Sequence, residues 1–316
     1  MDDYEGGLVV CFMCGISAIV HKMASSEGLA PVGRELVAML DSLAHRGIDS
    51  SGVTICGEEF PADYIIRLWC EGEQDAEAQM GRVQDIVSEY GGSVVASSVT
   101  GGYLRTEIRY GGDVGRLAEA ILKLQGMHLH SIGRNSEIIK DVGTAADMDG
   151  KHSIDGIMGT HGIGHVRMAT ESRVDINHSH PFWAYPFPDV SVVHNGQLTN
   201  YHKLTRKYED EGYTFQTEND SELIAVYLAD KMYKGMKLDD ALHSAVDDLD
   251  GTFTFIASTE DGVGYAKDRW SAKPMVATET DDVVAIASEE IALRRIFPDE
   301  IDRAEPQEGD VKTWLI

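Results

Sequence analysis

The chain has 316 residues, 43% hydrophobic and 25% charged, a globular composition that excludes a disordered or collagen-like polymer. Its length suits one sizeable α/β domain with an insertion. With 27 basic residues against 53 acidic ones, the net charge of −26 repels phosphate backbones and anionic lipid surfaces, which argues against nucleic acid or membrane as a partner.

Residues 1–13 read as a leader or a mis-assigned start, with acids where a signal peptide carries its positive region. CGISAIV (14–20) follows as a short buried strand, and GRELVAMLDSLAHR (33–46) places Leu36, Val37, Leu40, Leu43 and Ala44 on one helical face. HRGIDSSG then turns into a strand over 52–56. Between about 61 and 135 the predicted order is strand, helix, strand, strand, helix, strand: DYIIRLWC, DAEAQMGRVQDIVSEY, SVVASSV, YLRTEIRY, VGRLAEAILKLQ and MHLHSIG. That is the ferredoxin-like β-α-β-β-α-β unit, predicted here as a subdomain inserted over 59–135. An irregular two-helix excursion is the plainer alternative. From Gly159 onward strands dominate (GTHGIGHVRMAT, VSVVHNGQLT, TFTFIAST, GYAKD, MVATET, VVAIASE), with helices near 200–211, 220–234, 238–249 and 289–296. Many strands in tight succession imply packed sheets with helices outside.

No apolar run reaches the ~18 residues of a membrane helix. The cysteines Cys11, Cys14, Cys56 and Cys70 have neither zinc-finger nor cluster spacing, so the expected setting is a reduced cytoplasm in which a reactive thiol can survive. Cys14 follows a methionine. A cysteine that becomes residue one carries its own α-amine, with an ordinary pKa of about 7.7–8.0, beside its thiol, and such an amine can take the thiol proton. Alone, a buried structural cysteine explains Cys14 better. Four further segments stand with it: HRGIDSSG with Arg46, GHVRMAT with Arg167 and Thr170, VVHNGQL with Asn195 and Gly196, and TENDSE with Asp220. Taken singly, Asn195-Gly196 is a common turn, Asp220 a common helix cap and Arg167 an ion-pair partner.

In this order the five segments resemble the class II glutamine amidotransferases, which are N-terminal-nucleophile hydrolases. The resemblance covers residues 14–58 and about 157–300, and it implies an α+β, four-layer αββα sandwich over 14–58 and 136–316. SIGRNSEIIKDVG, DLDGTFTF and KDRWSAKPMV, with the insertion, resemble the separate amidotransferase subunits of glutamate-synthase-like and N-methylglutamate synthase enzymes. The resemblance implies Cys14 as nucleophile on the side-chain amide of L-glutamine. The Asn195 amide and the Gly196 N–H would serve as oxyanion donors. It further implies Arg167 on the substrate α-carboxylate, Asp220 on its α-ammonium, Thr170 along the same pocket, and Arg46 at the nucleophile end. In HSHP (178–181) His180 matches the family's histidine by spacing, and His178 has no counterpart.

Twelve residues precede Met13, so a free Cys14 amine requires translation from Met13 or removal of a leader; otherwise this form is inactive. Six of the twelve histidines lie between 152 and 194, and a His-x-His pair can bind zinc, but no HExxH or supporting acid and cysteine spacing accompanies them. No cofactor is therefore expected in this chain. The residues after the last amidotransferase-like helix supply little more than a closing strand, so ammonia is expected to pass to an FMN-binding synthase-type partner subunit in a hetero-oligomer, with FMN and iron–sulfur clusters in the partners. A stand-alone amide hydrolase, and a regulatory subunit with a blocked N-terminus, are the alternatives.

Overall fold

Alternation along the first strand sets the layering. In β1 (Gly15–His21), Ile16, Ala18 and Val20 join one buried cluster and Ile19 another, so both faces of the strand are covered. The computed structural model describes residues 14–22, 28–57, 61–168, 174–299 and 301–316; the predicted leader (1–13) and Thr170 lie outside them. After β1 come α1 (Val32–Ser42), β2 (Ser50–Cys56), β3 (Tyr64–Cys70), α2 (Ala76–Glu89), β4 (Ser93–Thr100), β5 (Tyr103–Arg109), α3 (Val114–Leu122), β6 (Met127–Gly133), β7 (Ser136–Val142), α4 (Ala145–His152) and β8 (His161–Arg167). The second half holds β9 (Phe182–Trp183), β10 (Ser191–Leu198), α5 (Tyr201–Asp210), α6 (Asp220–Tyr233), α7 (Leu238–Asp248), β11 (Gly251–Thr259), β12 (Gly262–Lys267), β13 (Val276–Glu279), β14 (Val283–Ala287), α8 (Glu290–Leu293) and β15 (Val311–Leu315).

Two antiparallel sheets form the sandwich, in the orders β13-β14-β1-β8-β2-β7 and β15-β12-β11-β10-β9. Ile16, Ala18, Val20 and Ile163 of the first sheet meet Val193, Ile256, Val263 and Trp314 of the second in the shared core. Leu36, Met39, Leu40, Met148 and Leu293 from α1, α4 and α8 cover the outer face of the first sheet. Leu223, Val226, Tyr227 and Leu242 from α6 and α7 pack with Phe253 and Phe255 of β11 on the outer face of the second. The result is αββα. The helix expected over 33–46 ends at Ser42 and continues as a tighter 3₁₀ turn over Ala44–Arg46, which aims Arg46 back at the start of β1. The helix expected near 289–296 is regular only over Glu290–Leu293, and α4, which the sequence reading missed, is held by a Thr144–Asp147 capping box.

A third, four-stranded antiparallel sheet has the order β4-β5-β3-β6, the ferredoxin-like arrangement, with α2 and α3 packed against it through Met80, Val83, Val87, Leu117 and Ile121. Charged side chains stitch it to the sandwich: Glu137 of β7 takes hydrogen bonds from Arg67 of β3 (2.6 Å) and Arg105 of β5 (2.9 and 3.0 Å). Among the described residues, no helix is long and apolar enough to cross a membrane.

Candidate active site

Strand pairing brings the motif residues together across long stretches of chain. Cys14 stands just ahead of β1, and Gly15 pairs with Val166, so Arg167 and Met168 at the end of β8 lie beside the cysteine. The thiol sits 3.8 Å from the Met168 carbonyl oxygen. From the second sheet, β10 delivers His194, Asn195 and Gly196 to the same place, and the start of α6 delivers Asp220. Cys14, Arg167, His180, Asn195, Gly196 and Asp220 line one cleft of about 550 Å³.

The Cys14 carbonyl oxygen is held twice, by the Asn195 side-chain amide of β10 at 2.9 Å and by Arg46 Nε from the 3₁₀ turn after α1 at 3.0 Å. An amide NH2 has two hydrogens, so Asn195 keeps one donor for an oxyanion while the other fixes the nucleophile's backbone. Gly196 has φ of +144°, and a Cβ there would stand 2.0 Å from the Thr252 carbonyl oxygen; only glycine lets β10 and β11 pair in this register. Burial raises the Cys14 thiol above its ordinary pKa, although the Met168 hydrogen bond and the Arg167 and Arg46 charges pull the other way. The thiol stays protonated, so it needs a base within reach.

Asp220 is the first residue of α6, not its cap. Asn219 is the N-cap and accepts from Ser221 N–H, which frees the Asp220 carboxylate for the cleft. Asp220 Oδ2 accepts from Leu198 N–H at 2.9 Å, and Oδ1 lies 3.4 Å from His194 Nδ1. Burial pushes its carboxyl up, but His194 and the hydrogen bonds from Leu198 and Ser221 outweigh that and hold it below its usual value. The cleft wall therefore carries a half-buried anion, Asp220, as well as the Arg167 guanidinium, the two charges that complement an α-amino acid backbone.

Two of the motif residues, Arg46 and His180, hold the nucleophile's surroundings. Arg46 is absent from the cleft wall: besides gripping the Cys14 carbonyl, it donates to Glu289 Oε1 at 2.5 Å, and His45 lies 2.9 Å from Glu289 Oε2. Glu289, two hundred and forty-three positions away in sequence, escaped the sequence reading. His180 reaches the cleft but is buried and stacked on His165 (centroids 3.9 Å apart), with its Nδ1 facing His194 N–H at 3.4 Å. His165 Nε2 donates to the His194 carbonyl at 3.2 Å. These two imidazoles clamp both sides of the backbone next to Asn195, and burial keeps both neutral, His165 down to about 3. His178 pairs with Asp175, and among the described residues no group of three or more His, Cys, Asp or Glu is placed to hold a metal ion.

A family model for a glutamine amidotransferase domain matches residues 165–295. A protein of Methanothermobacter thermautotrophicus whose name designates a glutamine amidotransferase is 36% identical over 312 residues, 96% of this chain and all of that protein. The glutamine amidotransferase-like protein GlxB of Rhizobium meliloti is 35% identical over 303 residues, 96% of this chain and 98% of that one. Among solved structures, an allosteric regulatory enzyme of purine biosynthesis superposes with a TM-score of 0.61 at 18% identity, over 95% of this chain and 46% of the other. The glutamine phosphoribosylpyrophosphate amidotransferase of B. subtilis gives 0.58 at 18% identity, over 96% and 49%. This chain thus spans about half of each solved chain, and those likenesses speak for the fold, an N-terminal-nucleophile hydrolase sandwich. The chain belongs to the class II glutamine amidotransferase family.

Proposed function

We propose that the chain is the glutaminase subunit of a glutamate-synthase-like complex and that its mature form begins at Cys14. The observation that carries this reading is the single cleft in which the Cys14 thiol, the Asn195 and Gly196 donors, the Arg167 cation and the Asp220 anion meet. The Cys14 amine takes the thiol proton as sulfur bonds to the side-chain amide carbon of glutamine. Asn195 Nδ2–H and Gly196 N–H receive the oxyanion; each such donor is worth about 3 kcal/mol in the transition state. The C–N bond breaks as the ammonium returns its proton, ammonia leaves, and water then cleaves the thioester to glutamate. Arg167 holds the α-carboxylate, Asp220 the α-ammonium, and Thr170 extends the same pocket. Arg46 and His180 position the nucleophile and the oxyanion donors.

Ammonia then passes to a separate FMN-binding synthase-type subunit, with FMN and any iron–sulfur clusters carried there and not in this chain. The phrases of sequence shared with such subunits support this part of the reading. Intact mass spectrometry of active material tests the whole. A chain starting at Cys14, labelled there by a glutamine-mimicking electrophile and unlabelled in Arg167→Ala, supports it. Full glutaminase activity from a chain that retains Met1 overturns it.

A further inference from the structure

A second cavity, of about 280 Å³, lies where the ferredoxin-like sheet meets the sandwich, separate from the glutamine cleft. β6 contributes His130, β7 contributes Lys140, β9 the rings of Phe182 and Trp183, and α6 contributes Glu222. His130 is 5% exposed, and its Nε2 is buried with no hydrogen-bond partner. A buried nitrogen left so carries an unmet hydrogen-bonding need that a ligand group can satisfy. Lys140, also 5% exposed, uses its ammonium on the Ser179 (2.9 Å) and Pro181 (3.4 Å) carbonyls and lies 5.1 Å from the Phe182 ring centre. Glu222, 2% exposed, accepts from Gln216 N–H, Thr217 N–H and the Thr217 hydroxyl. Lys140 and Glu222 act on one another electrostatically, and both line the cavity.

We infer that this cavity is an effector site for a small zwitterionic α-amino acid. A buried cation and a buried anion on the wall of one cavity, with an aromatic face beside them, match a molecule that carries both charges and a compact side chain. Its carboxylate fits the Lys140 ammonium and the unpartnered His130 nitrogen. Its ammonium fits the oxygen of Glu222 that has accepted only one hydrogen bond, since a carboxylate offers about four lone-pair sites. The volume suits an amino acid and lies just below the ~300–1,000 Å³ of common ligand pockets, which favour such seams between structural units.

The same charged groups support the glutamine cleft from behind. The carbonyls held by Lys140 flank His180, whose ring lines the cleft. The amides held by Glu222 belong to the segment that leads into Asp220. A ligand that redirects Lys140 or Glu222 therefore shifts two walls of the cleft, and by linkage glutamine alters the ligand's affinity by the same factor. This regulatory half rests on the glutaminase reading; the binding half does not.

Calorimetry on the full chain carrying Cys14→Ala separates them, since no glutamine turns over. The probes are glycine, L-alanine, L-serine, L-valine, L-leucine, L-aspartate and L-glutamate, each beside its deaminated acid and decarboxylated amine. The expected result is saturable binding of at least one amino acid and of neither cut-down analogue. That binding should weaken at least tenfold in Lys140→Met and persist in Arg167→Ala. Should Lys140→Met fail to fold, His130→Phe replaces one flat ring by another, removes the unpartnered nitrogen and should weaken the same binding at least fivefold. Absence of binding by every probe, binding lost in Arg167→Ala, or binding unchanged in both cavity variants overturns the inference.

Discussion

Replacing Asp220 by asparagine isolates one charge in the cleft. The side chain keeps its shape, and its carbonyl oxygen can still accept from Leu198 N–H, now at 2.9 Å. What is lost is the negative charge, which the structure holds ionised below the ordinary carboxyl range. A hydrogen bond to a charged group contributes about 1.5–3 kcal/mol, so kcat/KM for glutamine should fall about 10- to 150-fold. The α-ammonium does not change between bound substrate and transition state, so the loss should appear in KM, with kcat within about threefold of wild type. Steady-state ammonia release measures both constants. The glutamine analogue that lacks the α-amine provides the internal control, because Asp220→Asn should leave its turnover unchanged. A fall in kcat at constant KM, or an equal loss on the des-amino analogue, would refute the role given to Asp220.

Gly196→Ala drives a Cβ into the Thr252 carbonyl at 2.0 Å and the Phe253 Cα at 2.7 Å, both backbone, so β10 and β11 must part; denaturant unfolding should show a loss of about 3 kcal/mol or more. Arg46→Lys removes the Nε donor to the Cys14 carbonyl and the paired geometry on Glu289; kcat should drop about tenfold or more with KM unchanged, and a KM effect alone would refute that role. Burial lowers His161 to about 4 and His165 to about 3, and holds His180 well below its usual value. Their folded-state values are depressed, so their contribution to stability is full above about pH 6.5 and is lost as the pH falls toward those values. Each should subtract about 1.4 kcal/mol per pH unit below 6.5 in urea titrations, and His161→Gln should remove one share of that slope.

Much of this architecture was legible because it repeats at short range. The insertion announced itself through periodicity: Ala76, Met80, Val83 and Val87 recur at helical spacing on α2, and Tyr64, Ile66 and Leu68 alternate along β3. The residues that meet in the cleft were legible as an ordered set of short motifs. Contacts that depend on sheet order escaped. Nothing near Arg46 in sequence points to Glu289, and nothing in HNG shows that Asn195 also grips the Cys14 carbonyl, 181 positions away. Asn219 and Asp220 are both good caps, and only the position of Leu198 N–H decides between them. The cavity around Lys140 joins residues from β6, β7, β9 and α6, so no local pattern could reveal it.

Chain ends usually fray. Here the carbonyl of Cys14 is stapled twice, once from each half of the sandwich, while β1 runs on between two hydrogen-bonded neighbours. If the preceding residues are cut away, the new terminus inherits anchors that do not depend on them. Such a cut would then need no search for the reactive pose, because the sulfur is already held where a freed amine would meet it.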